Sequence, residues 1–219
     1  SAAAYYGKSG IFDEELIIRL EDIKIGYREL IKKITEKQMQ DIIDRFAVNF
    51  TYESNAIEGS SLTLKDVAII LHEKRAVKGK DLREIYETLN TRKAMEMVFG
   101  NKIRINEKDI IKLHKTLTRN TGVPSGYKKL PNFILGRNVD TTPPEKVEKE
   151  MAHLIEWHRQ DKKMHPLQKA SVFHGKFEKI HPFEDGNGRV GRLLINIMLL
   201  SNNYPPLIIR KTQRISYFG

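Results

Sequence analysis

Two strongly apolar helical repeats separated by a short polar bend constrain this chain more than any other feature in it. Leu167, Ala170, Phe173, Phe177 and Ile180 recur at intervals of three and four, and so do Val190, Leu193, Leu194, Ile197 and Met198. That spacing puts one apolar face on each of two helices, and NNYPP stops the second. Between them lies HPFEDGNGRVGR, residues 181–192, with a histidine, an aspartate, glycines around an asparagine, and two arginines. So many polar and flexible residues beside the apolar run LLINIMLL mark the bend as the candidate site.

Gly186 and Gly188 permit positive φ and a concave turn. A turn of that kind feeding a helix N-terminus binds anions through unpaired N–H groups and the helix dipole. Arg189 and Arg192 are three apart and share a helical face, and the guanidinium fork suits phosphate oxygens. Asp185 abuts this cradle and is placed to hold Mg²⁺, which takes oxygen ligands. His181 is four residues before Asp185, and an imidazole there is suited to take a proton from an incoming hydroxyl. Phe183 is expected to turn inward and anchor the loop.

The rest of the chain reads as helix with one exception. Residues 11–49 carry an apolar stripe of Ile11, Leu16, Leu20, Ile23, Leu30, Ile31 and Ile34. Thr35 with Gln38 forms a capping box that opens a second helix through Phe46 and Phe50. YESNAIEG then ends on Gly59, a C′ position. Thr63 and Asp66 start another helix, with Val67, Ile70 and Leu71 inward, and VKGK at 77–80 breaks it. A helix is expected from Asp81 to Phe99 with Leu82, Ile85, Leu89, Met95 and Val98 inward. Asn106 caps the next, whose stripe is Ile110, Ile111, Leu113 and Leu117. Residues 120–144 are rich in Gly, Pro, Asn and Thr, and NFILGRNV within them is expected to form a short hairpin near Gly136. Glu145 to Arg159 returns to helix. One mostly helical unit with one small hairpin fits this pattern, without repeats or a clear linker.

Composition excludes several classes. The 219 residues contain no cysteine, so disulfides and thiolate metal sites are ruled out. No apolar run reaches the roughly 18 residues that span a bilayer. SAAAYYGKSG lacks the apolar region of a secretion signal, so the cytoplasm is the expected compartment and no membrane partner is expected. The net charge of +10 raises nucleic acid as a partner. No recognised nucleic-acid module is present, so that reading is the weaker one. GKS at 7–9 lacks the first glycine of a Walker loop, and His72-Glu73 lacks the second histidine of a zinc protease motif.

HPFEDGNGRVGR resembles the signature of Fic-domain proteins at every fixed position. The similarity extends to LHKTL, the SGYK turn, NFILGRNV, TPPEKV, YPPLIIRK and the final SYF, so it covers about residues 50–218. It implies an all-α Fic fold, a helical bundle with a short β-hairpin flap. It divides the chain into an N-terminal helical arm (1–49), an inhibitory helix (50–60) and a Fic domain (61–219, core about 107–210). It further implies transfer of AMP from ATP, with Mg²⁺, onto a hydroxyl side chain of a protein target, which could be the chain itself. His181 would be the base and Asp185 the metal ligand. Asp185, Gly186, Asn187, Gly188, Arg189, Val190, Gly191 and Arg192 would bind ATP, with Arg192 on the γ-phosphate. Leu135, Gly136, Arg137, Asn138 and Val139 of the flap would clamp the target by strand addition. Tyr217 and Phe218 fall where similar proteins contact the nucleotide base. SNAIEG, residues 54–59, is similar to the Fic inhibitory motif, which pairs Glu58 with Arg192 and includes Ser54.

One departure is Lys128, where the family commonly has arginine. The remaining histidines, His72, His114, His153, His158, His165 and His174, are expected to be structural or at the surface. Three other readings stay open: removal of AMP with Glu58 positioning water, transfer of a different phosphate-containing group, and a basic nucleic-acid-binding module. The isoleucine-rich arm also suggests a homodimer.

Overall fold

The computed structural model describes residues 12–133 and 140–218. The chain runs through α1 (Glu14–Lys33), α2 (Glu36–Ile57) and α3 (Leu64–Ala68), which continues into a π-helical turn, Ile69–Glu73. There follow α4 (Leu82–Phe99), α5 (Glu107–Leu117), α6 (Pro144–Gln160), α7 (Pro166–Ile180) and α8 (Asn187–Ser201). A 3₁₀ turn, Lys211–Gln213, leads into α9 (Arg214–Phe218). Among the described residues the only β pairing is an isolated antiparallel bridge, Phe133 with Asp140. This bridge stands at the foot of the expected hairpin. The flap residues Leu135, Gly136, Arg137, Asn138 and Val139 themselves lie outside the described residues.

The all-α reading holds, and α8 is its axis. Every residue from Arg189 to Leu199 is buried, the signature of a helix enclosed on all sides. It packs against α7, α4, α5 and α2. Phe50, Met95, Leu113, Leu117, Met151, Phe173, Phe177, Phe183, Leu193 and Leu194 form one core around it. A smaller cluster of Val48, Leu62, Val67, Ile70 and Ile85 holds α3 against α2 and α4.

Local chemistry sets the helix ends. Gln38 N donates to Thr35 Oγ1 at 3.3 Å and Thr35 N to Gln38 Oε1 at 2.9 Å, the reciprocal cap expected at the start of α2. That helix runs without a break to Ile57, and Gly59 adopts φ +97° just beyond it. The end of the N-terminal arm, from Glu36 on, and Ser54–Ile57 of SNAIEG therefore share one helix of 22 residues.

Two periodicity readings need correction. Leu82 and Leu89 of α4 are 61 % and 40 % exposed. The inward face of α4 is built instead from Ile85, Thr88, Asn90, Thr91, Ala94, Met95 and Val98. Asn90 belongs inside because its Nδ2 donates to Leu117 O at 3.0 Å and Arg119 O at 2.7 Å, capping the end of α5. On α1, Ile23 and Leu30 are about half exposed, and Ile17 is the residue fully buried. The arm is held by polar contacts as well: the Tyr204 hydroxyl donates to the Glu21 carboxylate and lies 2.9 Å from His165 Nε2.

Candidate functional site

The bend between α7 and α8 is pinned from within. Phe183 is fully buried, and its ring stacks on His114 with centroids 3.8 Å apart. Asn187 grips the same residue twice: Phe183 N donates to its Oδ1 at 2.9 Å, and its Nδ2 donates to Phe183 O at 2.7 Å. His114 Nε2 lies 3.0 Å from Asp185 O. Burial pushes the His114 imidazole down to about 4, so it is neutral at pH 7 and supports the loop as a donor. Gly186 takes φ +82° to turn the chain into α8, and no side chain caps that helix. Its first N–H groups therefore have no capping side chain, the condition in which a helix N-terminus attracts an anion.

His181 ends α7 in the left-handed region (φ 50°, ψ 60°), with its N–H bonded to Phe177 O at 2.9 Å. Its side chain is 15 % exposed. Asp185 is pinched between two arginines: Arg83 of α4 pairs with one oxygen, and Arg189 Nη2 stands 3.6 Å from the other. Burial alone would raise this carboxyl. Arg189, the Gly186 N–H and Arg83 overcome that and hold it below the usual carboxylate range. Arg189 is itself buried, with Nη1 3.1 Å from Glu87 Oε1.

Arg192 is 1 % exposed. Its Nε donates to Ser54 Oγ at 2.9 Å, and its Nη2 donates to Ser54 O at 3.0 Å and to Glu58 Oε1 at 2.6 Å. A guanidinium in such a place stays charged because burial is outweighed by the Glu58 carboxylate beside it. Glu58 also reaches over the first turn of α8, since a Cβ added at Gly188 would run into its Oε1. One carboxylate thus occupies both the fork of Arg192 and the anion-seeking end of the helix.

The structure brings His181, Asp185, Gly186, Asn187, Gly188, Arg189, Val190, Gly191 and Arg192 into one bend and sets Ser54 and Glu58 against it. Tyr217 joins them. Its hydroxyl lies 2.6 Å from His174 Nε2, its ring centre is 5.9 Å from Arg192 Cζ, and burial raises the phenol to about 12. The side chain of Phe218 lies outside the described residues.

Sequence reasoning missed the supporting partners. Arg83 and Glu87 come from α4, an i, i+4 pair bonded at 3.1 Å, and nothing local ties them to a loop a hundred residues away. Lys128, in sequence only a departure from a family pattern, is 3 % exposed. Its N–H donates to Pro182 O at 2.8 Å, and its Nζ donates to Asn132 Oδ1 at 2.6 Å and Thr141 Oγ1 at 3.0 Å. Asn132 Nδ2 in turn donates to Phe183 O at 2.7 Å. One buried lysine therefore ties both feet of the 133–140 segment to the bend, and burial lowers it to about 8.

Residues 104–199 match the family described as Fic/DOC. The chain is 32 % identical over 218 residues to the protein adenylyltransferase Fic of Nematostella vectensis, covering 91 % of this chain and 51 % of that protein. To the protein of the same name from Drosophila grimshawi it is 34 % identical over 173 residues, covering 76 % and 36 %. It superposes on the crystal structure of a Fic-domain-containing signaling protein from Bacteroides thetaiotaomicron with a TM-score of 0.82, at 25 % identity, covering 91 % of this chain and 78 % of that one. The chain spans about half or less of the length of the two curated relatives. Among the described residues no helix is long and apolar enough to cross a membrane.

Proposed function

The chain carries a domain of the Fic/DOC family, and on that premise we propose that it is an autoinhibited protein adenylyltransferase, moving AMP from ATP to a hydroxyl side chain of a protein target. The observation that carries the reading is the 2.6 Å contact of Glu58 with Arg192 above the bare N-terminus of α8.

In the active state the N–H groups at the start of α8, with Arg189 and Arg192, hold the nucleotide's phosphates. His181 accepts the proton of the target hydroxyl as its oxygen bonds to the α-phosphorus and pyrophosphate leaves. Asp185 suits the magnesium that accompanies ATP, because its side chain is 45 % exposed and phosphate oxygens would complete an all-oxygen shell. Among the described residues no group of three or more His, Asp or Glu could hold a metal by itself; the ion would thus depend on the nucleotide, whose phosphate charge it would neutralise. Glu58 opposes all of this. It takes the guanidinium that the γ-phosphate needs and adds negative charge to its place.

The test compares wild type, Glu58→Gly and Glu58→Gly/His181→Ala with labelled ATP and Mg²⁺. Releasing one charge-assisted contact should raise incorporation in Glu58→Gly at least about tenfold, and the double variant should return it to background. No gain over the double variant sinks the proposal. Release of AMP from a modified target that depends on Glu58 would instead favour the reverse reaction.

A further inference from the structure

We infer that Glu178 is a positioning residue for His181, holding the imidazole with its proton on Nδ1 and balancing the charge the ring acquires when it takes a second proton. The catalytic meaning rests on the proposed adenylyl transfer, while the pairing itself can be tested apart from it.

Glu178 lies in the last turn of α7, three residues before His181. The left-handed conformation of His181 folds its ring back over that turn, so that Nδ1 stands 3.6 Å from Glu178 Oε2. This is an ion-pair separation and longer than a hydrogen bond. Contacts of this sort commonly tighten when substrate closes the site. One oxygen of the carboxylate is enclosed, while the side chain as a whole is 20 % exposed. A Cβ at Gly191 would come within 2.7 Å of Glu178 Oε1 and of the His174 ring, so α8 lies directly on it. Its Oε1 is shut off from water and accepts no hydrogen bond among the described residues.

A buried carboxylate needs a partner. The groups facing it are His174 on α7, His181, Arg192 on α8 and Tyr217 on α9. Arg192 directs Nε and Nη2 at Ser54 and Glu58. His174 Nε2 lies 4.0 Å from the carboxylate and is engaged by the Tyr217 hydroxyl at 2.6 Å. His181 Nδ1 is the nearer nitrogen, and its distance is the shorter. Burial works to raise the Glu178 carboxyl, but His181, His174 and Arg192 together bring it below its ordinary value, so it is an anion at pH 7.

A fixed anion beside Nδ1 favours the proton there and leaves the lone pair on Nε2. When the target oxygen bonds to the α-phosphorus and pyrophosphate leaves, the hydroxyl proton passes to Nε2. His181 is then an imidazolium with Nδ1–H directed at Glu178, which keeps its negative charge throughout.

The experiment is an NMR titration of the full chain carrying ¹³C-labelled histidine, with the His181 signal identified by its loss in His181→Ala. Glu178→Gln should lower the His181 midpoint by about one pH unit, the ordinary effect of removing an adjacent opposite charge. An unchanged midpoint overturns the inference. If the Gln variant does not fold, Glu178→Asp withdraws the carboxylate by one methylene and should lower the midpoint by less; no movement there is equally fatal. In a Glu58→Gly background, Glu178→Gln should cut kcat about tenfold with KM for ATP nearly unchanged, and shift the acid limb of the rate profile with the NMR midpoint. A raised KM with intact kcat would count against positioning. Should Glu58→Gly transfer no AMP, the adenylyl-transfer reading fails, and the titration still decides the role of Glu178.

Discussion

Arg189 and Arg192 lie one turn apart on α8, 3 % and 1 % exposed, and each meets a carboxylate from another helix. The carboxylates differ in where they stand. Glu87, partner of Arg189, is in the middle of α4, 14 % exposed and fixed further by Arg83. Glu58, partner of Arg192, is the residue at which α2 stops, 39 % exposed and followed by a glycine. A residue inside a helix has backbone bonds on both sides, whereas one at a C-cap moves whenever the last turn frays. The same guanidinium chemistry is thus a fixed strut on the α4 flank and an exchangeable contact on the α2 flank, where the proposed switch resides.

Stability measurements put the contrast most directly at risk. Glu87→Ala takes the nearer carboxylate from a buried guanidinium, leaving it Asp185 at 3.6 Å, and should cost about 3 kcal/mol in urea denaturation. Glu58→Gly leaves Arg192 its two Ser54 bonds and opens the vacated fork to water from the 39 % exposed side, so it should cost less, about 1–2 kcal/mol. Equal losses would erase the distinction between the flanks.

Two glycines of α8 sharpen it. Gly191→Ala drives a methyl into Glu178 and His174 at 2.7 Å, and neither can withdraw from the packed interface. The expected cost is about 2 kcal/mol, read as a lower Tm. Gly188→Ala meets chiefly the tip of the Glu58 side chain, which is free to swing aside. Its cost should be clearly smaller, and a crystal structure of the variant should show Glu58 turned away from Arg192.

Acid should weaken the Asp185 side through His114. Folded His114 titrates at about 4, while the unfolded side chain titrates near its ordinary value of 6.5. Between those values the unfolded state holds a proton that the folded state does not. Stability is therefore complete above pH 6.5 and falls as pH drops towards 4. The loss from this residue at about pH 5.5 should be on the order of 1 kcal/mol, and His114→Phe should flatten the Tm–pH curve over that window. Arg83→Ala removes a half-exposed partner and should change stability by no more than about 0.5 kcal/mol.

Much of this is legible in the sequence. The bend, its flanking helices, the Thr35 cap and the Gly59 stop depend on contacts within a few residues, which spacing reports well. Leu82 and Leu89 mislead because periodicity assumes that apolar residues face inward. Asn90 takes that face for hydrogen bonds that only the tertiary arrangement supplies, and Thr91 joins it by bonding back to Glu87 O and across to Asn55. Ile23 and Leu30 fail for the opposite reason: α1 rests on the body through Ile17 and the Glu21–Tyr204 contact, leaving most of its stripe uncovered. Nothing local ties Glu87, Arg83 and Lys128 to the bend, since the partners that do so lie 102 positions away for Glu87 and Arg83 and 54 for Lys128. Ser54 and Glu58 are found by resemblance to a motif, and no spacing rule would join them to Arg192.

That last separation sets an order of events during synthesis. Glu58 and Arg192 are 134 positions apart. When α2 leaves the ribosome its carboxylate has no partner, and the loop that must close to supply one spans most of the chain. The phosphate-seeking end of α8 cannot be covered before Arg192 itself has been made, so the cover waits in the growing chain for the end it will close.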